Sequence, residues 1–71
     1  PVPPLEAARR KLALAIEAEA KATKEYEEAD EYGMSRQEYQ ELEDDADLAE
    51  SERIHAEAEL ARLEQIEIRA R

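Results

Sequence analysis

Two long stretches of this chain, Leu5 to Tyr32 and Arg36 to Ala70, contain neither proline nor glycine, and they are separated only by Gly33-Met34-Ser35. Residues that break helices are confined to the start of the chain and to this one short junction. Pro3 and Pro4 suit the first turn of a helix, where the missing N–H has no partner to lose. Apolar residues recur at Leu5, Ala8, Leu12, Ala15 and Ile16, then at Ala22, Tyr26 and Ala29, which is a helical stripe. Gly33 is placed to end this first helix in a left-handed conformation. Ser35 with Glu38 three residues on has the form of a capping box, and Met34 with Tyr39 that of a hydrophobic staple. A second stripe follows through Tyr39, Leu42, Ala46, Ala49, Ala56, Leu60, Leu63 and Ile66.

These signals predict an all-α chain: helix 1 over about 4–32, a turn at 33–35, and helix 2 over about 36–70. So short a connection forces the helices to lie antiparallel as a hairpin. Pairs of opposite charge four residues apart, such as Glu6–Arg10, mark the solvated faces.

At 71 residues one hairpin has a single face to hide and rarely makes a self-sufficient core. The chain has no cysteine, so disulfides cannot compensate, and iron–sulfur and thiolate zinc sites are excluded. Homodimerisation into a four-helix bundle, or a higher oligomer, is the expected remedy. The formal net charge of −10 argues against nucleic acid and anionic lipid as partners. No apolar run is long enough to span a membrane and no signal peptide is evident, so a cytoplasmic location is expected. The absence of an initial Met reads as a processed or trimmed product.

The stripe is interrupted by ionisable residues halfway along. Glu19 occupies the third rung of the ladder Leu5, Leu12, Glu19, Tyr26, where an apolar side chain is expected. A carboxylate there needs a proton, a paired charge or a metal. Between Ala49 and Ala56 the inward position is assigned to Glu52, with His55 one turn later, giving a Glu-x-x-His pair. Counted from the turn, Glu19 and Glu52 fall within about one helical turn of the same level. A twofold dimer would gather two Glu19, two Glu52 and two His55. Four carboxylates and two imidazoles are the ligand set of two-metal carboxylate bundles, with iron expected and Mn or Zn as alternatives.

The segments Ala15-Ile16-Glu17-Ala18-Glu19-Ala20-Lys21-Ala22 and Ala49-Glu50-Ser51-Glu52-Arg53-Ile54-His55-Ala56-Glu57, with Tyr26 seven residues after Glu19, resemble one helical hairpin of rubrerythrin in the ferritin-like superfamily. The resemblance covers roughly residues 12–63. It implies that Glu19 and Glu52 are carboxylate ligands, His55 a terminal ligand, and Tyr26 a tyrosine beside two iron ions. It also implies oxidation of iron by dioxygen or hydrogen peroxide, of ferroxidase or peroxidase type. Rubrerythrins hold two such hairpins in one chain and add a cysteine-ligated module, both absent from this sequence. The alternative expectation is a non-enzymatic acidic hairpin that dimerises or docks on a partner helix, with Glu19 and Glu52 at the boundary and His55 incidental; Tyr26 is equally read as an aromatic filling a heptad core position. A subunit of a larger iron-storing shell is a third.

Overall fold

A computed structural model describes residues 2–29 and 33–70. It consists of two helices, α1 (Pro4–Glu27) and α2 (Arg36–Ala70), packed against each other along a rod of 57 × 18 × 16 Å. The chain is thus an α-helical hairpin, with no strand among the described residues.

Each helix begins where its local chemistry predicts. Pro4 takes the first position of α1, and the Ala7 N–H donates to the Pro3 carbonyl at 3.0 Å. At the start of α2, Ser35 Oγ accepts the Glu38 N–H at 3.1 Å, and the Tyr39 N–H donates to the Ser35 carbonyl at 3.1 Å. An N-cap hydroxyl of this kind satisfies a donor that the helix cannot.

The end of α1 differs from the expectation. The helix stops at Glu27, six residues short of Gly33, so the glycine does not terminate it; Asp30 to Tyr32 lie outside the described residues. The Glu28 and Ala29 N–H groups close the last turn on the Lys24 and Tyr26 carbonyls. The run Glu27, Glu28, Asp30, Glu31 gives a physical reason for the early stop. Negative charge at a helix C-terminus adds to the negative end of its dipole and favours fraying. Near the turn, the rings of Tyr26 and Tyr39 lie 5.2 Å apart and tilted by 42°, joining the last turn of α1 to the first of α2.

The seam follows steps of three and four on both helices. Leu5, Ala8, Leu12, Ala15, Glu19, Ala22 and Tyr26 on α1 meet Leu42, Ala46, Ala49, Arg53, Ala56, Leu60 and Leu63 on α2, all buried or half-buried. Only Ala8, Ala49 and Ala56 are fully buried among the described residues, and no larger side chain is. Two expected seam residues lie outside it: Ile16 and Ile66 are 47% and 55% exposed. No described helix is long and apolar enough to cross a membrane.

Candidate functional site

The polar layer halfway along the seam is built from Glu19 and Arg53. Arg53 Nε donates to Glu19 Oε1 at 2.8 Å, and its NH1 group donates to Glu57 Oε1 at 2.8 Å. Glu19 and Arg53 retain only about a quarter of their side-chain exposure, so the ion pair sits within the seam while Glu57 closes it from the surface. The hydrogen bond to Glu19 holds the Arg53 guanidinium above its ordinary pKa, with Glu57 adding to the effect. The aliphatic stem of arginine can cross the apolar edge while its planar head reaches both carboxylates.

This pair sets the register. Glu19 faces Arg53, so residue n of α1 lies near the level of residue 72 − n of α2. The second interhelical ion pair, Lys11 Nζ to Glu59 Oε2 at 3.3 Å, keeps that level to within two residues.

The expected inward position of Glu52 is corrected. Arg53 points into the seam, whereas Glu52 and His55 are exposed. The steps Leu42, Ala46, Ala49 alternate four and three, and continuing the alternation leads to Arg53 and Ala56. Choosing Glu52 instead turns the helix by one residue, about 100°. Arg53 is the residue that sequence reasoning missed, and that alternation was the signal for it. Glu19 is inward as expected, but its partner is a guanidinium.

Glu52 and His55 do share a feature of their own. They line one groove of about 560 Å³ with Lys11, Leu14, Ala15, Ala18 and Ala56, on the flank of the hairpin that also carries the Lys11–Glu59 pair. Glu19 is not among the groove's lining residues. Among the described residues, no group of three or more acidic, histidine or cysteine side chains could hold a metal ion. Within the single hairpin the Glu19 carboxylate is engaged by Arg53, while Glu52 and His55 lie on the exposed flank. Tyr26 is half-buried and packs on Tyr39, at the turn end of the seam.

No family model, curated protein or solved structure matches the chain.

Proposed function

We propose that this hairpin is a non-enzymatic self-association module, two copies of which pair along the groove flank to form an antiparallel four-helix bundle. The observation that carries the proposal is the mismatch between core and surface. Among the described residues nothing larger than alanine is fully buried, while Leu14, Leu48 and Ile66 are 67%, 59% and 55% exposed. Leu14 lines the groove, and the helical period puts Leu48 and Ile66, about five turns apart, on the side of α2 that carries His55. A hairpin with so thin a core gains most by covering such residues with another apolar surface.

The flank is also self-complementary. By the register, Leu48 lies at the level of Lys24 and Ile66 at the level of Glu6, with Leu14 close to midway between them. A twofold axis crossing the rod near Leu14 then sets Leu48 of each copy against Ile66 of the other. The same operation brings Arg69 to the level of the second copy's Asp45. Charges of both signs on this flank favour a twofold contact, in which each patch meets its own mate.

Engineered cysteines test this directly, because the chain has none of its own. Leu14→Cys near the axis should oxidise to a covalent dimer, whereas Leu48→Cys should not link to its own mate. Sedimentation of the unmodified protein should give twice 8.1 kDa. A monomer at every concentration up to about 0.5 mM, a Kd range accessible to weak interfaces, would exclude the module.

A second reading rests on Glu52 and His55 lining the same groove. An axis some four residues nearer the turn, at the level of Ala18, would instead group two Glu52 and two His55. Carboxylate with imidazole suits iron, manganese or zinc. Bound ferrous iron would supply a centre that dioxygen or peroxide could oxidise. Anaerobic titration with Fe(II) separates the two readings: uptake lost in His55→Ala, with Ala18→Cys linking in place of Leu14→Cys, supports the metal site. No uptake above that of the His55→Ala variant excludes it.

A further inference from the structure

The flank opposite the groove has a different character. On α2, Glu43, Asp47, Glu50, Glu57 and Glu64 run along it; Glu57 is paired with Arg53 at the seam edge, and the other four carry the charge of this flank. Between these acids Ile54, Ala61 and Ile68 recur every seven residues, two turns apart on one line of the helix. Ile54 and Ile68 are 48% and 61% exposed. From α1, Ile16 adds a side chain 47% exposed. The register places it at the level of Ala56, only about 3 Å along the axis from Ile54.

We propose that this flank is a docking surface for a basic amphipathic helix of a partner protein. Three observations select that occupant. The isoleucines lie on the flank of a helix pair, where a third helix can rest between α1 and α2, and their line spans about 21 Å, or four turns. The acids beside them match lysine or arginine flanking the apolar stripe of such a helix. A second copy of this chain is a poor occupant, because its own row of glutamates would face these. The acids repel nucleic acid and anionic membranes for the same reason. The surface is separate from the groove flank, so the two associations are compatible and can fail independently.

The test uses the full chain and a fluorescein-labelled amphipathic peptide of leucine and lysine, about 15 residues long to span four turns, read by fluorescence polarisation at physiological salt. A shuffled peptide of the same composition controls for charge alone. The helical peptide should bind at least about tenfold more tightly than the shuffled one. The paired change Ile16→Ser with Ile54→Ser should weaken it by about tenfold or more, as loss of central anchors does. Leu48→Ser, on the groove flank, should leave it unchanged. Reversing two acids, Glu50→Lys with Glu64→Lys, should transfer binding to a leucine–glutamate peptide. All these positions are on the surface, so circular dichroism should show folded protein throughout. Equal binding of the shuffled peptide, equal loss with Leu48→Ser, or no transfer in the charge-reversed variant would each overturn the proposal. Sedimentation run alongside reports on the homodimer separately.

Discussion

Replacing Ala49 by leucine probes the closeness of the seam. Ala49 is 8% exposed, one turn before Arg53 and on the same face, and it does not line the groove. A leucine adds three carbons. In open space their burial would contribute up to about 0.8 kcal/mol each. In a seam already closed around a methyl group they have nowhere to go without moving α1 away. Overpacking of this kind costs about 1–3 kcal/mol. The strain falls next to the 2.8 Å bond between Arg53 and Glu19, which separation of the helices would lengthen. A chain of 71 residues has a stability of roughly 4–11 kcal/mol, so a loss of about 2 kcal/mol is a large share. It corresponds to a fall in Tm of about 8–16 °C for a domain of this size. Thermal unfolding followed by circular dichroism, at one fixed protein concentration, measures it. Ser51→Leu is the control: Ser51 is exposed on the outer face of the same helix, and the change there should stay within about 0.5 kcal/mol. The reasoning fails if Ala49→Leu melts at or above the parent temperature, or if Ser51→Leu falls as far.

Other outcomes follow from the polar layer and the charge. Glu19→Leu alone should lower Tm, because Arg53 loses its seam partner, and adding Arg53→Leu should raise Tm again relative to that single variant; a double variant less stable than the single one would contradict this. Raising NaCl from about 10 mM to 500 mM should raise Tm, since a net charge of −10 repels itself and salt screens that repulsion; a steady fall in Tm would show that the ion pairs outweigh the repulsion. The pKa of Arg53 is raised on folding, so its contribution is fully present below the unfolded value and is lost only as pH climbs through the folded one. Between about pH 7 and 10, below any arginine titration, the melting difference between the parent and Arg53→Gln should therefore stay constant; a difference that shrinks across that range would assign the pair's pH dependence to another group.

Much of the hairpin is legible without the fold because it is local. The proline at the first position of α1, the Ser35 cap, the long stretches free of glycine and proline, and the short junction each act through neighbours within one turn. They suffice for two helices, their starts, and their antiparallel arrangement. The apolar ladder also carries most of the seam, since leucine, alanine and tyrosine recur at helical spacing. Even Glu19 was visible as an acid in an apolar line.

Tertiary structure decided which way α2 faces at its middle. Alanines occupy Ala46, Ala49, Ala56, Ala58 and Ala61 on several sides of that helix, so hydrophobicity alone barely distinguishes a phase inward at Glu52 from one inward at Arg53. The difference is one residue, and about 100° of rotation. It is resolved by what Glu19 meets across the seam. A second carboxylate there would leave two like charges in a half-dry place, while a guanidinium satisfies the first. The length of α1 was likewise settled at its end, where clustered acids oppose the helix dipole before the glycine is reached. Local chemistry made the helices; the pairing of one acid with one base across them chose the face that each presents.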